Sequence, residues 1–142
     1  MKVKRISPRA TMPKYQTAGA ACFELHADIY PVDAMSQNGS ITVGTGLAFE
    51  VPPGHVLLIF SRSSQGFKDN TRLANCVGVI DSDYRGEVKV KLTRDDGKPI
   101  EVNHGDRIAQ AMLVQTYQTS LVEVDELSTT ERGEAGFGST GK

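Results

Sequence analysis

The run Gly78-Val79-Ile80-Asp81-Ser82-Asp83-Tyr84-Arg85-Gly86-Glu87 sets two aspartates and a phenol between glycines, and the alternating Val88-Lys89-Val90-Lys91-Leu92 follows it. A core strand has little use for two acids beside a tyrosine. A pocket that holds a water near a charged substrate does. An aspartate with an ordinary pKa of about 3.9 is a weak proton acceptor at neutral pH, so such an acid acts more by positioning a water than by basicity. Tyr84 adds a flat face. The plainer alternative is a hairpin turn that carries surface acids.

Four other stretches hold complementary chemistry. Glu24 lies among apolar neighbours in Ala20-Ala21-Cys22-Phe23-Glu24-Leu25. It is either a solvent-facing strand residue or a carboxylate that orients a metal-bound water. Ser61-Arg62-Ser63-Ser64 follows an apolar run, and an arginine with hydroxyls at a strand end suits a phosphate, although serine-rich strand ends are commonly turns. Gly105-Asp106-Arg107-Ile108-Ala109-Gln110 contains an ordinary turn and surface ion pair, then an amide inside an apolar strand that needs partners. Arg132-Gly133-Glu134-Ala135-Gly136-Phe137-Gly138-Ser139-Thr140-Gly141 offers backbone N–H groups, two hydroxyls and a guanidinium to an anion. Phe137 cannot build a core there, but it can cover a ring. A disordered terminus is the alternative for this stretch. Phosphate donors, a water-anchoring acid and two aromatic faces together suit the hydrolysis of a nucleoside polyphosphate.

Short strands must position these groups. Alternation runs from Ile41 to Val51, with Ile41, Val43, Thr45, Leu47, Phe49 and Val51 on one side, until Pro52-Pro53-Gly54 turns the chain. Val56 to Phe60 is continuously apolar, which suits a strand buried on both faces. Val88, Val90 and Leu92 mark a half-buried strand; Asp95 to Pro99 is a turn, and Ile100-Glu101-Val102 is extended. Arg107 to Tyr117 mixes helical and strand propensities and is assigned to a strand from its neighbours. One short helix is expected after Arg62-Ser63-Ser64. Apolar content collapses from Ser128 onward. The expectation is one all-β sandwich or barrel over residues 1–127, with a flexible glycine-rich arm over 128–142.

Composition narrows the function. Seventeen acids against 16 bases give a net charge of -1, so no basic field calls for nucleic acid. No apolar run approaches the roughly 20 residues of a membrane span, and the basic start lacks a secretory apolar stretch. Two cysteines without a ligand pattern and three scattered histidines read as free thiols and no zinc site, in a reducing compartment. A cytoplasmic location is expected (nuclear or host cytoplasm if viral), not secretion.

The five stretches, in this order, resemble the five motifs of the homotrimeric dUTP pyrophosphatases (dUTPases), over about Ala18 to Lys142. GVIDSDYRGEV and RGEAGFGSTG carry most of the likeness, GDRIAQ supports it, and Val43-Gly44-Thr45-Gly46-Leu47 looks like the family's V-x-T-G-L/I strand. The resemblance implies a jelly-roll-like sandwich assembled as a trimer with shared sites, each closed by an arm. It implies attack on the α-phosphorus of dUTP, giving dUMP and pyrophosphate, with Mg2+ held mainly by the triphosphate and waters. That removes dUTP before uracil enters DNA and supplies dUMP for dTMP synthesis.

By the same resemblance Asp81 activates the water, and Tyr84 lies against the deoxyribose. Asn75 to Ile80, including Gly78 and Val79, reads uracil. Arg62, Ser63, Ser64 and Gln110 face the phosphates, and Lys89 lines the site. Arg132 pairs with the γ-phosphate, Phe137 stacks over the base, and Gly138, Ser139 and Thr140 donate to phosphate. Glu24 is the implied water-mediated metal contact. It stands where the family usually has aspartate, Cys22 stands for a glycine, Ser61 for a proline and Ala135 for a glycine. A deaminase of the same fold would need a glutamate on the strand from Val88 to Thr93, which has none. A weakly active regulatory protein-binding module on this scaffold is the other reading.

Overall fold

The computed structural model describes residues 1–30, 33–36 and 38–136. Among the described residues, eleven strands and one helix follow in chain order: β1 (Lys2–Arg5), β2 (Phe23–His26), β3 (Asp33–Ser36), β4 (Ser40–Gly44), β5 (Leu47–Glu50), β6 (His55–Phe60), α1 (Ser63–Asp69), β7 (Thr71–Leu73), β8 (Val77–Ile80), β9 (Lys89–Arg94), β10 (Ile100–Asn103) and β11 (Arg107–Gln115). The fold is all-β, as the alternation and turn signals require.

A four-stranded sheet runs β2-β11-β6-β8, and a three-stranded sheet runs β4-β9-β7. Two further ribbons are β1-β5 and β10-β3. Every pairing is antiparallel. The inner residues of the sheets interleave into one apolar core, in which Leu25 (β2), Val43 (β4), Phe49 (β5), Leu57 (β6), Leu92 (β9) and Ile108 (β11) are almost fully buried. Burying a leucine or phenylalanine this completely contributes about 1.5–3 kcal/mol.

Three expectations meet the structure closely. The ambiguous Arg107–Tyr117 stretch is a strand to Gln115, because it sits between β2 and β6 and propensity yields to pairing on both sides. The apolar run at Val56 is β6, interior to the same sheet. The short helix begins at Ser63 and ends where Asn70 adopts left-handed backbone (φ 49°), a residue type that tolerates that region. One expectation is corrected. The alternation from Ile41 to Val51 is not one strand but two, β4 and β5, separated by a corner where Gly46 has φ 64°. The buried face nonetheless continues through the corner, since Val43, Thr45, Leu47, Phe49 and Val51 are all buried. Thr45 manages this by donating its hydroxyl to the Val88 carbonyl at 2.7 Å.

Past β11 the described chain forms no further strand or helix, and Tyr117 to Ala135 are all exposed. Apolar Tyr117, Leu121, Val122, Val124 and Leu127 are among them.

Candidate active site

One end of the four-stranded sheet gathers charge and hydroxyls. Gln110 on β11 stands opposite Glu24 on β2 and opposite Phe60 on β6. Its amide donates to the Ser61 carbonyl at 2.9 Å, which supplies the partner that a half-buried amide needs. The Ser61 hydroxyl in turn accepts the Leu73 N–H at 2.9 Å. Arg62 caps α1 with extended backbone, and its N–H donates to Gln65 Oε1 at 3.0 Å. Buried Gln65 spends its other end on the Ile108 carbonyl, 3.1 Å away. Gln65 therefore ties the helix start to β11.

Arg62 is held from a second side. Its Nε lies 2.8 Å from Glu24 Oε2, and Arg107 Nη1 lies 4.0 Å from Glu24 Oε1. Glu24 thus faces two guanidinium groups. Arg62 also reaches the Arg107 carbonyl at 3.4 Å. Ser61, Arg62, Ser63 and Gln110 line one cavity of about 490 Å³ with Gly66 and the strongly exposed Phe67. Ser64 turns instead to a neighbouring groove of about 540 Å³ that Arg62, Arg94 and Arg107 share with Asp69, Glu101 and Asp106. The expected surface pair of Asp106 with Arg107 does not form; Asp106 accepts the Asn103 N–H at 2.8 Å and closes the turn before β11.

The acid lies at another place. After β7 the chain turns through Asn75 and Cys76, whose φ is 63°, and returns as β8. Gly78 lies against Ile59, where a methyl would meet its Cβ at 3.1 Å. Asn75, Gly78, Val79, Ile80 and Lys89 help line a cavity of about 340 Å³. Val79, Ile80, Asp81, Tyr84, Glu87 and Lys89 line an adjoining one of about 410 Å³. Asp81 is exposed there, and its carbonyl accepts the Tyr84 N–H at 3.3 Å. The Tyr84 hydroxyl donates to the Glu87 carbonyl at 3.0 Å, which fixes the ring.

These two groups are not brought together within one chain. Val77 pairs with Phe60, just before Ser61, whereas Ile80, just before Asp81, pairs with Leu57. Asp81 and Ser61 therefore lie at opposite ends of the same pairing, separated by roughly 13 Å or more along the strands. Arg132 is farther along the exposed arm, its Nε donating to the Ala135 carbonyl at 2.8 Å. Phe137, Gly138, Ser139 and Thr140 lie outside the described residues.

Two titrations reflect this setting. Burial, with Arg107, Lys14 and Arg62 adding to it, holds the His26 ring below its usual range against the opposing pull of Glu24. Burial, followed by the charge of Glu24, raises the Cys22 thiol. Among the described residues no three His, Cys, Asp or Glu side chains gather to hold a metal. Glu24, turned toward two arginines, is a poor cage by itself. A divalent ion already chelated by a triphosphate needs no such cage.

Sequence reasoning gave no functional role to Arg107, Gln65, Phe67 or Glu87. Arg107 was masked by its acidic neighbour in sequence, Gln65 by an ordinary helical context, and Glu87 by its place between Gly86 and Val88. Only Phe67, an aromatic beside Gly66 in a short polar helix, carried a visible signal.

An antiparallel sandwich with a cationic, hydroxyl-lined end and a separate acid-and-phenol pocket has the form of a nucleotide-binding β protein. A family profile described as dUTPase matches residues 8–141. A deoxyuridine 5'-triphosphate nucleotidohydrolase of Nautilia profundicola is 44% identical over 143 residues, spanning 100% of this chain and 99% of that protein. Its counterpart in Helicobacter pylori strain J99 is 40% identical, over 99% of this chain and 96% of that one. Among solved structures, the Staphylococcus bacteriophage 80alpha dUTPase with dUPNHPP superposes with a TM-score of 0.88 at 25% identity, covering 99% and 98% of the two chains. The chain belongs to the dUTPase family.

Proposed function

We propose that this chain hydrolyses dUTP to dUMP and pyrophosphate, as a dUTP diphosphatase. The observation that carries this is the division of the site: phosphate-type donors around Ser61, Arg62 and Gln110, and a water-anchoring acid beside a fixed aromatic ring at Asp81 and Tyr84. Full-length relatives that bear the nucleotidohydrolase name support the substrate.

In this reading a water held by Asp81 attacks the α-phosphorus. The bond from that phosphorus to the α–β bridging oxygen breaks, pyrophosphate leaves, and the water's proton passes to Asp81 and then to solvent. Tyr84 packs on the deoxyribose, where a 2′-hydroxyl has no room. Asn75 to Ile80 meets the uracil largely through backbone groups. Arg62, Ser63 and Gln110 meet the phosphates, Ser63 near the bridging oxygen where charge develops; Ser64 completes the helix start. Lys89 adds charge to the sugar-side pocket. Mg2+, held mainly by the triphosphate and waters when bound, would offset the phosphate charge.

The separation of Asp81 from Arg62 within one chain favours a homotrimer whose sites combine different copies. The exposed apolar residues Tyr117 to Leu127 suit contact with another copy. The arm, with Arg132 on the γ-phosphate, Phe137 over the base and Gly138, Ser139 and Thr140 on phosphate, would close the site as a lid. Domain and arm divide at about residue 128. Free Cys22 and Cys76 fit work in a reducing cytoplasm.

Turnover in water enriched in oxygen-18 tests the chemistry. Attack at the α-phosphorus puts one label in dUMP and none in pyrophosphate. Label in pyrophosphate would overturn it.

A further inference from the structure

Glu87 has a seat built for it. Its Oε1 accepts the Gly46 N–H at 3.0 Å, and the side chain is 28% exposed. The same oxygen lies against Gly44, where any Cβ would overlap it. Lys89 Nζ stands 3.6 Å from the other oxygen. The corner between β4 and β5 thus receives a carboxylate whose tip fills the space beside Gly44. A hydrogen bond from a backbone N–H to an ionised, partly buried carboxylate is roughly twice as strong as a neutral one.

The residue is also fixed on its other sides. Its carbonyl accepts the Tyr84 hydroxyl at 3.0 Å. The Tyr84 hydroxyl in turn occupies the space above Gly86, where a Cβ would overlap it. The next residue, Val88, donates to the Leu47 carbonyl at 2.9 Å and accepts the Thr45 hydroxyl at 2.7 Å. Glu87 is therefore the link between a rigid corner and the turn that carries Asp81 and Tyr84. An ordinary surface ion pair with Lys89 would not account for the bond from the Gly46 N–H.

We propose that Glu87 is a positioning residue of the hydrolytic site: its carboxylate, seated on the Gly44–Gly46 corner, sets the place of the Tyr84 ring and of Lys89. The proposal rests on the assignment of Tyr84 to the sugar of dUTP. Its effect is on rate and on sugar discrimination, because a ring that shifts by an ångström loses its fit to the reacting geometry and opens space for a 2′-hydroxyl.

The test compares Glu87→Ala, Glu87→Gln and Gly44→Ala on the full chain, with dUTP and UTP as substrates. Glu87→Ala is expected to lower kcat for dUTP by about 10- to 100-fold and to narrow the dUTP/UTP ratio of kcat/KM by about tenfold or more. Glu87→Gln, whose amide oxygen still accepts the Gly46 N–H, recovers most of both losses. Gly44→Ala, which pushes the carboxylate off its seat, imitates Glu87→Ala but adds little to it in the double variant, as expected for residues that act through one contact. Should Glu87→Ala fail to fold, Gly44→Ala and Glu87→Gln decide the matter alone. An unchanged dUTP/UTP ratio in Glu87→Ala or Gly44→Ala, strict additivity of the two, or a glutamine variant as impaired as alanine would overturn the proposal. A wild-type chain without dUTP turnover would defeat the underlying assignment instead.

Discussion

The Glu24 carboxylate lies 2.8 Å from the Arg62 guanidinium, with the two side chains only 14 and 17% exposed. This contact joins the stretch around Cys22 to the stretch after β6, two segments far apart in sequence. It also turns toward a guanidinium the carboxylate whose type and place suggested a metal-bound water.

Breaking the pair from one side leaves a poorly solvated charge behind. Arg62→Ala is expected to lose about 1–3 kcal/mol of stability, and the double variant with Glu24→Ala less than that. Urea unfolding of both variants checks this. An Arg62→Ala protein as stable as wild type would show that solvent already screens Glu24. Arg62→Ala should also raise KM for dUTP by about tenfold or more, from the loss of a charge-assisted contact.

Much of the sandwich was legible in sequence, and this pair was not. Alternation at Val43 to Val51 and at Val88 to Leu92, and the turn residues between them, specify which faces are buried. Period-two patterns hold no record of which strand lies beside which. The opposition of Gln110 to Glu24 and Phe60 appears only once β11 is placed between β2 and β6. The split of Ile41–Val51 at a corner was hidden because Gly46 continues the alternation while changing direction. Asp81 and Tyr84 stood out because acids beside a phenol are rare in a core pattern. Glu87 did not, since its partner is a backbone N–H.

Asp81→Asn keeps the shape of the side chain and removes its ability to take a proton. Turnover should fall by about 10²- to 10⁴-fold, while affinity for an α,β-imido analogue of dUTP stays close to wild type. Calorimetry and steady-state kinetics on the same preparation separate the two. Refolding this variant together with Arg62→Ala should restore low-KM turnover that neither variant shows alone, because mixed assemblies then contain sites with both groups intact. No recovery on mixing would argue that each chain supplies both groups to its own site.

Removing Arg132 to Lys142 deletes a segment that is exposed from Arg132 to Ala135 and half-buried at Gly136. The thermal midpoint should stay where it is, while kcat for dUTP drops sharply. A large fall in the midpoint would make the arm part of the fold's support and not a lid.

The His26 ring contributes to the acid side of the stability curve. Burial holds its pKa below the ordinary 6.5, so the unfolded chain binds the extra proton more readily than the folded one. Its contribution is therefore present above pH 6.5 and is lost as pH falls below that value. Urea midpoints at pH 7.5 and 5.5 measure the slope. His26→Gln should flatten it, and an equal slope in wild type and variant would assign the acid sensitivity to other groups.

Pyrophosphate release from dUTP, dCTP, UTP and dTTP, side by side and with and without Mg2+, tests the central claim most directly. The structure and the family predict fast, Mg2+-dependent release from dUTP, with the other three slow. Equal release from all four would contradict the reading of Asn75 to Ile80 and Tyr84 as the base and sugar pocket. No release from any would contradict the enzymatic assignment and favour a regulatory binding role on the same scaffold.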